Sequence, residues 1–205
     1  VRRDLDVLQR RGLLRRVHGG AIAASRYSHE FTFPERKGRN PEQKLRIAQI
    51  ASQYIPEEGC IFVDGGSTTE FLGEFLRNRP QLMVVTNSLS LASRIGESST
   101  PLFFLSGRVR PTTLSAVGSK TVDDLMTYKA QIAFLGANGI DMQSGFTTVD
   151  PDEAAVKRMM IQNATETIVL ADNSKFGASY SALFAGFENI DRLVTDVDAD
   201  PAHVE

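Results

Sequence analysis

From residue 41 onward the chain alternates between two hydrophobic periods. Residues 42–54 carry Leu45, Ile47, Ala48, Ile50, Ala51 and Tyr54 at helical spacing, and an unbroken apolar run follows at 60–63. The alternation continues with helix 68–77, strand 82–86, helix 89–96, strand 102–105, helix 119–128, strand 131–135, helix 151–163 and strand 166–171. Two short strands fit near 182–186 and 192–195. Short continuous apolar strands are buried on both faces, and strands separated by amphipathic helices pair in parallel. The pattern predicts an α/β fold over residues 41–205: a mostly parallel sheet with helices on both faces. No internal repeat or low-complexity stretch interrupts it.

Upstream the pattern changes. Val1, Leu5 and Leu8 share one helical face, Arg2, Arg3, Asp6, Gln9 and Arg10 take the others, and Gly12 supplies a stop. Leu13 and Leu14 lead through Arg15, Arg16, Val17 and His18 into Gly19-Gly20, a tight-turn signal, and then Ala21-Ile22. Helix, stop, strand, glycine turn and strand describe the second half of a winged helix-turn-helix, over residues 1–22. In that arrangement the helix enters the major groove, and Arg2, Arg3, Arg10, Arg15, Arg16 and His18 are the expected DNA contacts. The other reading of such a helix is a solvated amphipathic surface. Residues 23–40, "AASRYSHEFTFPERKGRN", show no period and carry Pro34 and Gly38, which reads as a linker.

Charge sharpens the division. The chain has 205 residues and a formal net charge of −2. Residues 1–20 hold six arginines against two aspartates, leaving 17 bases and 23 acids for the rest. A cationic head on a mildly acidic body implies that only the head meets a polyanion. The chain opens without methionine, inside a helical pattern, as the tail of a longer protein would. With the earlier helices of a winged domain missing, weak or no specific DNA binding is expected of this chain alone. No apolar run approaches the ~18–20 residues that span a bilayer, and no signal-peptide pattern opens the chain, so a cytoplasmic location is expected. Cys60, the one cysteine, reads as a small buried hydrophobe beside Ile61 and Phe62. No metal site or cofactor is expected.

In open parallel sheets, ligands bind beyond the carboxyl ends of the strands. The segments there are Asp64-Gly65-Gly66-Ser67-Thr68-Thr69, Asn87-Ser88, Ser106-Gly107-Arg108, Gly136-Ala137-Asn138-Gly139-Ile140-Asp141 and Asp172-Asn173-Ser174-Lys175. Together they make a polar rim that favours anions. The two glycines of the first segment allow close backbone approach, and Ser67, Thr68 and Thr69 open a helix whose free N–H groups attract a phosphate. An ordinary turn capped by Ser67 has the same wording. The lysine of a P-loop and the spacing of a dinucleotide fingerprint are both missing, which excludes nucleoside triphosphates and NAD. Asn87-Ser88 is equally a helix cap or a ligand contact. Asp150-Pro151-Asp152-Glu153 is a helix start, with Asp150 as cap and Glu153 completing a capping box. Ala155, Val156, Met159 and Met160 suit a buried face, and Lys157 either meets the pocket or is simply exposed.

The opening "VRRDLDVLQRRGLLRRVHGGAI" closely resembles the recognition helix and wing of DeoR-type bacterial transcriptional regulators. The segments "FVDGGSTT", "VVTNSLSLA", "GSKTVDDLMTYKAQIAFLGANGID", "GFTTVDPDEAAVKRMM" and "VLADNSKFG" resemble the family's carboxy-terminal sensor domain. The resemblance implies a fold similar to ribose-5-phosphate isomerase and an effector that is a phosphorylated sugar or related metabolite. It implies that Asp64, Gly65, Ser67, Thr68 and Thr69 hold the effector phosphate. Asn138, Gly139, Asp172 and Lys175 would line the sugar end, with Arg108 and Lys157 nearby; Asn87 is counted with the effector contacts on its place after a strand. The isomerase pattern has an acidic pair, Gly-Ala-Asp-Glu-Ile-Asp, where this chain has Gly-Ala-Asn-Gly-Ile-Asp. Asn138 cannot accept a proton and Gly139 has no side chain, so the carboxylate base that isomerisation needs is missing. A repressor that answers a sugar phosphate, acts as a homodimer or homotetramer on paired operator half-sites, and is not an enzyme is the expected whole; a sugar-phosphate isomerase is the alternative.

Overall fold

The computed structural model describes residues 14–17, 20–23, 30–197 and 199. The expected hairpin forms: Leu14–Val17 (β1) and Gly20–Ala23 (β2) pair antiparallel, with Arg15 opposite Ile22 and Arg16 opposite Ala21. Next come helices α1 (Phe33–Lys37) and α2 (Pro41–Ala51). Strand β3 (Gly59–Val63), helix α3 (Gly73–Leu76), strand β4 (Leu82–Thr86), helix α4 (Leu89–Ile95) and strand β5 (Leu102–Phe104) follow in order. A hairpin of β6 (Arg108–Arg110) and β7 (Ser115–Val117) precedes helix α5 (Ser119–Leu125) and strand β8 (Ala130–Gly136). Strands β9 (Gly139–Asp141) and β10 (Gly145–Thr148) lead to helix α6 (Pro151–Gln162), then β11 (Ala164–Leu170), β12 (Ala182–Ala185) and β13 (Arg192–Val194).

The predicted parallel sheet has six strands in the order β13-β11-β8-β3-β4-β5, every neighbouring pair parallel. Alternate residues of each strand feed opposite faces. In β3, Ile61 and Val63 join a core with Ile47, Ala48, Leu76 and Leu91 of α2, α3 and α4. Phe62 points the other way, into a core with Leu125, Val156 and Met160 of α5 and α6 and with Phe146 and Phe184 of a small sheet, β12-β10-β9. Cys60 is half-buried against this second core, and burial pushes its thiol up to about 11.

Several elements depart from the sequence pattern. The hairpin β6–β7 and strands β9 and β10 have only three or four residues each and include Arg-Val-Arg and Gly-Phe-Thr-Thr, too short and polar to register as apolar runs. The helix expected at 68–77 is a 3-10 turn, Thr69–Leu72, followed by the single α-turn of α3. Within the aperiodic segment 23–40 lies α1, whose start is secured by Glu35: its carboxylate accepts from the Thr32 amide and hydroxyl, both at 2.8 Å. Phe33 is its buried anchor.

Helix α2 presents Lys44, Ile47, Ala48 and Ala51 inward, while Leu45 and Ile50 are exposed. A lysine occupies an apolar position because its Nζ closes the end of α1, donating to the carbonyls of Arg36 and Arg39, the latter at 2.7 Å. Burial lowers the Lys44 pKa from 10.5 to about 8, against the pull of Asp172. The unfolded chain therefore holds this proton more tightly than the folded one, so stability rises with pH from about 8 towards 10.5 and is insensitive to Lys44 below that window. Urea unfolding at pH 8 and pH 10 should show the wild type gaining about 2 kcal/mol relative to Lys44→Met over that interval.

Candidate functional site

The strand order places the site. From β3 the chain winds one way through β4 and β5, whereas β8, β11 and β13 lie on its other side. At such a switch point the connections leaving two adjacent strands diverge and open a crevice beyond their carboxyl ends. The cleft here, about 410 Å³ including its open mouth, lies between the loops after β3 and β8. Gly65, Gly66, Ser67 and Thr68 form one wall and Gly136, Ala137 and Asn138 another. Arg36, Glu153, Lys157 and Lys175 complete it.

The loop after β3 is braced from behind. Asn87 Oδ1 accepts from the Gly65 amide at 2.9 Å while its Nδ2 donates to the Ala116 carbonyl at 3.1 Å, which ties the loop to the β6–β7 hairpin. Thr69 Oγ1 donates to the Asp64 carbonyl at 2.7 Å and approaches the Gly66 carbonyl at 3.0 Å. Gly65 tolerates no side chain, since a Cβ there would strike Ser115 Oγ. The amides of Gly66, Ser67 and Thr68 have no hydrogen-bond acceptor among the described residues, so three donors stand at the cleft wall. A 3-10 turn, not a long helix, follows them, so these amides rather than a helix dipole supply the attraction for an anion.

Lys157 lies on the buried face of α6 with Glu153, Ala154, Val156 and Met160. The exposed alternative for Lys157 is thus excluded; the buried stripe is turned by one position from the expected one, leaving Ala155 and Met159 half-buried. Its ammonium pairs with the buried Asp64 carboxylate and donates to the Gly136 carbonyl at 2.8 Å. Asp64 also accepts from the Gly136 amide at 3.3 Å, so one ion pair joins the ends of β3 and β8 to α6.

Glu153 differs from its expected role. Asp150 caps α6 by accepting from the amides of Asp152 and Glu153, at 2.9 and 3.1 Å, but the Glu153 carboxylate does not fold back to complete a box. It accepts from Thr148 Oγ1 at 2.9 Å and lies 3.4 Å from Arg110, at the cleft wall. Asn138 Oδ1 lies 2.9 Å from the same Thr148 Oγ1, whose single proton the two acceptors share.

Cationic character comes from three side chains. Lys157 is neutralised by Asp64, whereas Lys175 makes no ion pair within 4.0 Å among the described residues. Burial lowers the Lys175 pKa and Asp172 opposes that shift. Asp172 is pushed up by its own burial, but Lys175 and the Ser174 hydrogen bond outweigh this and hold it below the usual value. Arg36, lowered by burial against the attraction of Glu153 and Glu30, donates to the Thr112 carbonyl at 3.3 Å, and its buried Nε has no acceptor among the described residues.

Of the residues singled out from the sequence, Gly65, Ser67, Thr68, Asn138, Lys157 and Lys175 meet in the cleft. The others stand apart from it. Asp64, Thr69 and Asn87 brace its walls, and Ser88, not Asn87, caps α4, accepting from the Leu91 amide at 3.2 Å. Arg108 is exposed on β6 and paired with Asp152 at 2.9 Å. Gly139 belongs to β9, where a Cβ would strike the Ala178 carbonyl oxygen. Asp172 caps the 3-10 turn that carries Lys175, accepting from the Ser174 amide at 3.1 Å, and is held by Asn40 at 3.2 Å. Arg15 and Arg16 lie on β1; Arg2, Arg3, Arg10 and His18 fall outside the described residues. Sequence reasoning missed Arg36 and the cleft-facing role of Glu153. Thr32 three residues before Glu35 was a signal for α1, and the i, i+4 spacing of Glu153 and Lys157 put both on one helix face.

Removing one partner of a buried ion pair strands the other's charge. Lys157→Ala should therefore lose about 3–5 kcal/mol of stability in urea unfolding, and Lys157→Met combined with Asp64→Asn should recover most of it.

No helix among the described residues is long and apolar enough to cross a membrane. A family model for the DeoR C terminal sensor domain matches residues 39–197, and one for the DeoR-like helix-turn-helix domain matches residues 1–27. The uncharacterized HTH-type transcriptional regulator FruR of Bacillus subtilis (strain 168) is 36% identical over 198 residues, 97% of this chain and 79% of that protein. The glycerol-3-phosphate regulon repressor of Escherichia coli (strain K12) is 30% identical over 197 residues, 96% of this chain and 78% of that one. Among solved structures, eIF2B delta from Chaetomium thermophilum overlays with a TM-score of 0.54 at 17% identity, across 77% of this chain and 56% of that one, a likeness of fold alone. The two matched domains, the relatives and the parallel sheet agree: the chain belongs to the DeoR family of transcriptional regulators.

Proposed function

We propose that the cleft binds a small phosphorylated sugar or related metabolite, and that its occupancy changes how the amino-terminal head holds operator DNA. The observation that carries this reading is the meeting, at one switch-point crevice, of the Gly66, Ser67 and Thr68 amides with the Lys175 side chain, none of which has a hydrogen-bond or ion-pair partner among the described residues. Amide donors and a fixed cation suit a phosphate group. Ser67 and Thr68 add hydroxyls to the same wall, and Asn138 offers an amide to a sugar hydroxyl across the cleft. Asp64, Thr69, Asn87 and Asp172 act behind them by holding the loops. Similarity to a repressor named for the glycerol-3-phosphate regulon favours a phosphorylated polyol or sugar and a repressor's role. Residues 1–22 then serve as the DNA-reading part, 23–40 as the connection and 41–205 as the sensor. Paired heads on a symmetric dimer or tetramer in the cytoplasm would read paired half-sites.

A sugar-phosphate isomerase is the second reading, because Glu153 puts one carboxylate in the cleft. That carboxylate already accepts from Thr148 and faces Arg110, which keeps it engaged within the fold rather than free to meet a substrate C–H. Asn138 occupies the position at which the isomerase pattern carries an acid. No interconversion of aldose and ketose phosphates is expected, and steady turnover of either would overturn the regulator-only reading.

Calorimetric titration with glycerol 3-phosphate, fructose 6-phosphate and ribose 5-phosphate tests the site. At least one should bind, and Lys175→Ala should weaken it roughly tenfold or more, the loss of one charge-assisted contact. Equal affinity of the variant, or no binding by any phosphorylated metabolite, would place the sensor site elsewhere.

A further inference from the structure

Arg110, on β6, stands among three carboxylates. Its Nη1 donates to Glu30 at 2.6 Å and its Nη2 makes a second contact with the same carboxylate, a two-pronged pair. Its Nε donates to Asp150 at 2.9 Å, and Glu153 lies at 3.4 Å, the longest of these contacts. All four side chains are mostly buried, with no more than 20% exposure. One guanidinium among three carboxylates leaves the cluster short of positive charge, and Arg36 is the neighbouring cation that senses Glu153 and Glu30.

The three acids are not equally committed. Asp150 also caps α6, and Glu153 also accepts from Thr148. Among the described residues, the Glu30 carboxylate is held by Arg110 alone. Glu30 also has a distinct place in the chain. It lies seven positions after Ala23, the last residue of the wing strand β2, and two before Thr32, which starts α1. It falls in the interval between the matched helix-turn-helix domain and the matched sensor domain.

Glu153 links this cluster to the cleft that it lines. An anion there adds like charge beside Glu153 and draws on Arg36, which strengthens the pull on Arg110 towards the cleft. A guanidinium has five N–H donors in a fixed fork, so a shift that shortens the 3.4 Å contact to Glu153 opens the two-pronged one to Glu30. We propose that the Glu30–Arg110 pair is a ligand-sensitive latch: an anion entering the cleft weakens it and loosens the segment joining the sensor domain to the DNA-reading head. The latch rests on the reading of the cleft as an anion site.

Amide hydrogen exchange over residues 30–35 of this chain, with and without inorganic phosphate, tests the latch, and calorimetry reports phosphate binding in parallel. Phosphate should speed exchange there roughly tenfold in the wild type, the equilibrium shift that losing one charge-assisted hydrogen bond gives. Glu30→Gln should exchange fast without phosphate and respond no further, while still binding it. Arg110→Lys, which keeps the charge but not the fork, should also start fast. Phosphate binding with unchanged or slowed exchange, or a Glu30→Gln variant as protected as the wild type, would overturn the latch and leave the anion site standing. Absence of phosphate binding would overturn both.

Discussion

The parting of β3 and β8 creates the cleft, and the buried pair of Asp64 and Lys157 holds its shape. At a switch point two parallel strands lie side by side while the segments that leave them separate, so their ends have no regular structure to anchor them. Asp64 at the end of β3 takes the ammonium of Lys157 and the amide of Gly136, while Lys157 donates to the carbonyl of that same glycine. One ion pair with its hydrogen bonds therefore fixes two loops and a helix. A buried charge is tolerated only when it is paired, so the arrangement is all or nothing. The wall formed by Gly66, Ser67 and Thr68 is then free to present amides that carry no structural duty among the described residues.

A second consequence concerns α1. Apart from Phe33, its attachment to the sensor body is polar: Arg36 to the Thr112 carbonyl, Lys37 to Glu70 at 2.9 Å, and Lys44 of α2 to the carbonyls that end it. Polar attachments respond to nearby charge, whereas apolar packing does not. The cleft is thus bordered by an element whose hold depends on electrostatics, and that element follows the part of the chain matched as a DNA-binding domain. Arg36 of α1 is itself part of the cleft wall, so this polar-attached helix and the cleft share a residue.

Most of the six-stranded sheet was legible because most of its strands contain a continuous apolar run and the longer helices have their own period. The short antiparallel pieces were not. Arg108, Val109 and Arg110 alternate over only three residues, too few to separate a strand from a loop, and their pairing with Ser115–Val117 arises only when the chain folds back. For the site, polar loops at the strand ends were readable, but their grouping was not. Asn87 and Arg108 follow strands on the far side of β3 from β8, so neither lines the switch-point cleft, whereas Gly136–Asn138 follow the strand beside it. Lys157 was ambiguous because a helical period says which residues share a face and not what that face meets.

By itself the sequence determined the fold class, the phosphate-friendly wording of the loop after β3 and the cationic character of the opening segment. These are local properties, set by hydrophobic period, glycine placement and charge. Strand order, the choice of loops that share a crevice, the burial of Lys157 and Lys44, and the convergence of Glu30, Asp150 and Glu153 on Arg110 were decided by tertiary structure. The Glu30 and Arg110 positions are 80 apart in sequence, and Asp64 and Lys157 are 93 apart. Contacts across such separations depend on how the sheet is threaded, and neither period nor composition encodes that.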